Sequence, residues 1–165
     1  MAATASVTRP KPSGAELTPA ARYPGAVAHA GQEIQGPDGF RLRLIRTPAE
    51  TGGDLLEMEA TYGGTGALPP EHFHPRQVER FEVIEGSIRA IIDGTERRYA
   101  PGETFDVPAG TPHQMTADEP SRMRWEIRPA LRTAEFFEQL HATGDIAALL
   151  AEFRDEVRLT ALEQD

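Results

Sequence analysis

Between Phe40 and Arg128, apolar and polar residues alternate in short runs, and clusters of Gly and Pro separate the runs at close intervals. A period of two places successive side chains on opposite faces of a strand. Phe40 to Arg46 sets Phe40, Leu42 and Leu44 against Arg41, Arg43 and Ile45, and Leu55 to Tyr62 offers Leu56, Met58, Ala60 and Tyr62 on one side. The pattern predicts further strands over 80–84 and 87–92, joined at Glu85-Gly86, then over 97–100, over 104–107 and from His113 onward. In the last, 121–128, Met123, Trp125 and Ile127 oppose Arg122, Arg124, Glu126 and Arg128, so one face must be buried. Pro69-Pro70, Pro101-Gly102 and Pro108-Ala109-Gly110 supply the turns. This rhythm belongs to a barrel or a sandwich.

After Pro129 the period becomes helical. Thr133 is an expected N-cap before Phe136, Phe137 and Leu140, and Gly144 is a stop. Asp145 is expected to cap a second helix whose apolar stripe runs Ile146, Leu149, Leu150, Phe153 and Val157, with Glu152, Arg154, Asp155 and Glu156 facing solvent. Both helices are expected to pack on the exterior of the β structure. Residues 1–30 mix Pro, Ala, Thr, Lys and Gly without period and predict a flexible arm, within which Tyr23, Pro24 and Val27 could dock on a neighbouring subunit. The chain therefore divides into an arm (1–30), a β domain (31–130) and C-terminal helices (131–165).

A length of 165 residues suits one domain. The formal charge of −9 opposes binding to nucleic-acid phosphates and anionic lipid, and no helix-turn-helix with a basic recognition helix is legible. With no cysteine, disulfides, thiolate metal sites and thiol nucleophiles are excluded, so histidine, carboxylate and hydroxyl groups must carry the chemistry. No apolar run approaches the roughly 18 residues of a membrane span. The expectation is a cytoplasmic protein without nucleic-acid or membrane partners.

On a strand, residues two apart point the same way, so His72 and His74 project together while Phe73 faces outward. Glu79 opens the next strand beyond a flexible connection, Pro75-Arg76-Gln77-Val78, which can bring its carboxylate beside the imidazoles. His113 starts a strand just after the Gly110-Thr-Pro112 turn and shares a face with Met115. His29, in the arm, and His141, near a helix C-terminus, have no such company.

These two stretches resemble the signature motifs of the cupin superfamily. Gly66, His72, His74, Glu79 and Gly86 match the first motif, and Gly102, Pro108, Gly110 and His113 the second. Ala117 stands where the second motif often has Asn, which is not a ligand in the family. The resemblance implies an all-β fold, an antiparallel cupin barrel (a double-stranded β-helix of jelly-roll type) carrying the two C-terminal helices. It also implies one divalent metal ion on His72, His74, Glu79 and His113. Nitrogen and oxygen donors of this kind suit Fe, Mn, Ni, Co, Cu or Zn, and four protein ligands leave two octahedral positions open.

Strand parity places Phe81 and Val83 on the face of Glu79, and it makes Tyr62, Met58, Met115, Met123 and Trp125 further candidates for an apolar substrate chamber. Phe105 and Ile127 are read as packing. The expected function is that of a metal-dependent enzyme acting on a small enolisable or phenolic molecule bound directly to the ion. Among families of this layout the chain resembles quercetin-type dioxygenases and polyketide cyclases, and Glu79 is the expected catalytic base. The alternatives are a non-catalytic small-molecule or sugar-binding module and a sugar-phosphate isomerase, the latter resting on Arg76 and Arg80. A homodimer is expected because Phe73, Arg80, Glu82 and Ile84 face outward by parity.

Overall fold

The computed structural model describes residues 27–164. Tyr23, Pro24 and the rest of the arm before Val27 lie outside the described residues. Within the described part of the arm, Ala28 packs against the core, and the Gly31 amide just after it donates to the Leu44 carbonyl at 2.8 Å.

Among the described residues, eleven strands form two antiparallel sheets. The first sheet contains β1 (Glu33–Gln35), β2 (Arg41–Arg46), β3 (Leu56–Tyr62), β5 (Val78–Glu85), β8 (Thr104–Val107) and β10 (Ser121–Arg128), in the order β1-β2-β3-β10-β5-β8. The second contains β4 (His72–Phe73), β6 (Ile88–Ile92), β7 (Thr95–Tyr99), β9 (His113–Thr116) and β11 (Arg158–Leu159), in the order β11-β4-β9-β6-β7. The alternation read from the sequence sets these faces. Leu42, Leu44, Leu56, Met58, Ala60, Phe81, Val83, Met123 and Ile127 of the first sheet meet Ile88, Ala90 and Met115 of the second in one core. Phe105 stacks on Phe81 at 4.9 Å and on Tyr99 at 4.0 Å, so it packs the core as expected. The outer face of the first sheet carries a lattice of charges, including Arg46–Glu57 (2.6 Å), Arg122–Glu59 (3.1 Å) and Arg80–Asp106 (3.1 Å).

The Glu85-Gly86 turn joins β5 to β6. Gly86 has a φ of 71°, and a Cβ there would lie 2.6 Å from the Pro120 carbonyl oxygen, so only glycine fits. A second tight hairpin joins β6 to β7 through Asp93 and Gly94, both left-handed (φ 49° and 77°), which starts β7 two residues earlier than the composition of the run suggested. Strand β1 and the single turn α1 (Pro48–Thr51) carry no period long enough to be read in advance.

The C-terminal region departs from expectation in three ways. Helix α2 (Thr133–Leu140) is preceded by Arg132 at the cap, and the Thr133 hydroxyl does not cap; it accepts from Gln77 Nε2 at 2.8 Å instead. Helix α3 (Ile146–Glu152) is capped by Asp145 as expected, through Ala148 N at 3.0 Å, but ends five residues before Val157. Phe153 and Val157 turn inward against Phe136, and the chain continues into β11, which pairs with β4. Finally, the helices do not simply coat the outer face of the sheets. Phe136, Phe137, Leu140, Ile146 and Leu150 line an internal cavity, because their stripe is the wall that the open end of the sandwich lacks.

Candidate metal centre

Strand β4 is only two residues long, held between β9 (His72 opposite His113) and β11 (His72 opposite Leu159). Its pleat points His72 inward, and His74 follows on the same side. The Gly110 amide donates to the His74 carbonyl at 2.9 Å, tying the turn before β9 to the end of β4. His72, His74 and His113 each offer a ring nitrogen within 4.8 Å of the other two. Their ring centroids stand 4.4 Å (His72–His113) and 5.4 Å (the other two pairs) apart. Glu79, fully buried, reaches the same point from β5: Oε1 is 3.2 Å from His74 Nε2 and Oε2 is 2.9 Å from His113 Nε2.

Each imidazole is oriented by a backbone carbonyl. His72 Nδ1 meets the Pro70 oxygen at 2.9 Å, His113 Nδ1 the Thr111 oxygen at 2.9 Å, and His74 Nδ1 the Glu156 oxygen at 2.7 Å. A carbonyl only accepts, so each Nδ1 must carry the proton, which leaves each neutral ring with its Nε2 lone pair directed at the shared centre. His74 Nε2 and Glu79 Oε2 are buried with no well-directed hydrogen-bond partner of their own. Three presented lone pairs and a carboxylate, with His74 Nε2 and Glu79 Oε2 orphaned among them, fit a divalent cation with nitrogen and oxygen ligands.

The electrostatics agree. Burial, then the nearby His113 and His74, lower His72 to about 4, so it stays neutral at physiological pH. Burial works against a charged His74, but the Glu79 carboxylate, the Glu156 carbonyl and the Gln77 side chain outweigh it and raise that ring. Burial alone would raise Glu79; His74 and His113 reverse this and hold its carboxyl well below the usual range. Burial, followed by the Glu79 charge, pushes the Tyr62 hydroxyl above its ordinary value.

The centre opens into a cavity of about 420 Å³. Of the residues expected to line a substrate chamber, Tyr62, Met115 and Trp125 do so, together with the four candidate ligands. Met58, Phe81, Val83 and Met123 share the inward parity but are fully buried in the core and do not line it. Parity selects the inner face of a strand, whereas depth along the strand decides whether a side chain meets the cavity or the packed end. The sequence reading missed Phe40, Phe136, Phe137, Leu140 and His141, which also line the cavity. Among the described residues, no lysine or arginine lines the cavity.

Gln77, also missed, sits between His74 and Glu79. The connection that was expected to be flexible is pinned there. Gln77 is 1% exposed, and its Nε2 lies within hydrogen-bond distance of the Pro129 oxygen (2.8 Å), the Ala130 oxygen (3.1 Å) and Thr133 Oγ1 (2.8 Å). The available signal was its position two residues before Glu79, just ahead of β5.

Residues 59–127 match the family described as Cupin domain. A quercetin 2,3-dioxygenase of Bacillus subtilis is 31% identical over 75 residues, which is 46% of this chain and 22% of that protein, so the chain matches under a quarter of that relative's length. The structure of KdgF from Halomonas sp. is similar over 58% of this chain and 84% of its own, with 27% identity and a TM-score of 0.50. An RmlC-like cupin from Shewanella frigidimarina superposes over 63% of this chain and 88% of its own with a TM-score of 0.56; at 18% identity that likeness shows the fold.

Proposed function

We propose, from the premise that the chain carries a cupin domain, that it is a metal-dependent enzyme for a small, uncharged, enolisable or phenolic molecule. The observation that carries this reading is the convergence of three carbonyl-oriented imidazoles and Glu79 at one end of an apolar cavity. His72, His74, His113 and Glu79 would hold the ion. Bound there, a divalent cation supplies Lewis acidity, lowering the pKa of a hydroxyl or polarising a carbonyl.

The chain's own residues do the rest. Phe40, Tyr62, Trp125, Phe136 and Phe137 bury an apolar or aromatic body and exclude water. Trp125 holds Glu79 Oε1 at 3.0 Å, which leaves Oε2 as the atom placed to take a proton from a ligand in the cavity. The Tyr62 hydroxyl, kept protonated, is a donor for a ligand oxygen.

The absence of lysine and arginine from the wall, among the described residues, disfavours a sugar phosphate. Arg76 pairs with Asp155 at 3.3 Å and Arg80 with Asp106, away from the cavity. The likeness to a quercetin 2,3-dioxygenase supports an oxygen-consuming reaction; an oxygen-independent cyclisation or isomerisation uses the same site. The remaining alternative is a binding module without turnover.

Metal-loaded protein assayed with flavonols and smaller phenolic ketones, in air and without oxygen, separates these. Oxygen uptake matched to substrate loss supports the dioxygenase, and equal turnover without oxygen supports the cyclase or isomerase. Tight binding with no product in either atmosphere overturns the enzymatic reading.

A further inference from the structure

Gln77 has an amide orientation that the surroundings fix. Three acceptors, two of them backbone carbonyls, surround its Nε2. A flipped amide would set an oxygen against those carbonyls, so Oε1 must point the other way. Oε1 is buried and has no hydrogen-bond partner. Gln77 follows His74 by three residues in the short connection to Glu79, and His74 Nε2 is likewise buried without a well-directed partner.

What Gln77 holds on its nitrogen side is a strained turn. Leu131 adopts a left-handed backbone (φ 47°), which is strained for a residue with a Cβ. Gln77 binds residues on both sides of it, Pro129 and Ala130 before and Thr133 after. Thr133 begins α2, which carries Phe136 and Phe137 into the cavity wall. A second link runs in parallel. Glu156, 5% exposed, accepts the His74 Nδ1 proton on its backbone oxygen (2.7 Å) and the Arg132 amide on its carboxylate (3.1 Å). One metal-ligand candidate and one strained turn thus share two buried intermediaries from distant parts of the chain.

We propose that Gln77 and Glu156 are positioning residues that couple the seating of α2 over the cavity to the placement of His74, so that metal occupancy and closure of the apolar wall stabilise each other. This rests on the metal reading above. The coupling is a free energy shared by two events, so it is reciprocal: whatever the metal adds to the closure of α2, closed α2 adds to metal affinity. Seated α2 presents Phe136 and Phe137 to a ligand, so the coupling favours binding of the metal first and the apolar ligand second.

The test uses the full chain, with Co(II) as the probe. Co(II) affinity is measured by competition with a chelator, and amide hydrogen exchange of residues 133–140 is followed with and without Co(II), in wild type and in Gln77→Leu. The expected results are that Co(II) slows exchange in α2 of the wild type, and that Gln77→Leu weakens Co(II) binding by about 10-fold, as loss of an outer support of a ligand does. The same variant should lose the Co(II)-dependent protection of α2 while β5 and β10 keep theirs. If Gln77→Leu does not fold, Thr133→Val, which removes one acceptor and leaves Gln77 in place, must show both losses at smaller size. A variant that loosens α2 yet binds Co(II) as wild type does makes Gln77 a packing residue and overturns the coupling, as does one with neither change. Wild-type protein that takes up no Co(II) overturns the metal reading itself, and this inference with it.

Discussion

Trp125 donates its indole Nε1–H to Glu79 Oε1 at 3.0 Å, reaching from β10 to the neighbouring strand β5. The cavity wall and the carboxylate at the candidate metal centre are therefore joined in one contact. The same indole stacks on Phe81 (5.5 Å) and meets Phe137 of α2 edge-on (5.3 Å), so its orientation is set from both the core and the helical wall. Trp125→Phe keeps an aromatic ring there and removes only the donor. Leaving a buried carboxylate oxygen short of its hydrogen bond costs about 1–3 kcal/mol, so the metal-free variant should unfold at lower urea. An unchanged midpoint would show that Oε1 finds another donor.

Purified protein supplied with a divalent metal should bind about one ion per chain, since the donor set closes around a single point. His72→Ala, His74→Ala and His113→Ala should each reduce occupancy sharply in elemental analysis after gel filtration. A chain that stays metal-free when metal is supplied would sink the ligand assignment.

Glu79→Gln should separate binding from chemistry. The glutamine oxygen can still coordinate, but it accepts no proton at neutral pH, so turnover should fall by roughly 10²-fold while metal content falls far less. Equal losses of metal and activity would make Glu79 structural.

The metal-free protein should be acid-labile. His72 is lowered to about 4 in the fold, from an ordinary 6.5. The unfolded chain therefore takes up a proton near 6.5 that the folded chain refuses until about 4, and the stability fully present above 6.5 is lost as pH falls through that window. Raised His74 acts in the opposite sense, favouring the fold where that ring is charged. Urea midpoints at pH 7 and pH 5 check the balance: His72→Gln should shrink the loss seen in wild type, and an undiminished loss would remove His72 as its source.

A homodimer is proposed from apolar side chains left half-buried on the outer face. Phe73 and Ile84 are only half-buried in the single chain, whereas Arg80 and Glu82, placed with them by parity, have partners within their sheet in Asp106 and Arg124. Light scattering over a wide concentration range should give twice the chain mass; a constant monomer would refute it.

The strand pattern, the inward parity of His72 and His74 and the motif spacing are local properties, and so the sequence by itself determined a barrel or sandwich of short strands and, through its resemblance to the cupin motifs, named the four candidate ligands. Two imidazoles even carry their own orientation locally, because His72 and His113 each use the carbonyl of the residue two positions before. His74 does not. Its carbonyl belongs to Glu156, 82 residues away, and its neighbour Gln77 is held by residues 52 to 56 positions distant. Such contacts leave no periodic trace, since one hydrogen bond between buried groups needs only two compatible residues and a fold that brings them together. The same reason explains the cavity. Amphipathic spacing showed that Phe136, Phe137 and Leu140 face something apolar, but whether that was the outside of a sheet or the wall of a cavity depended on where the turn at Leu131 sends α2, which only the tertiary structure decided.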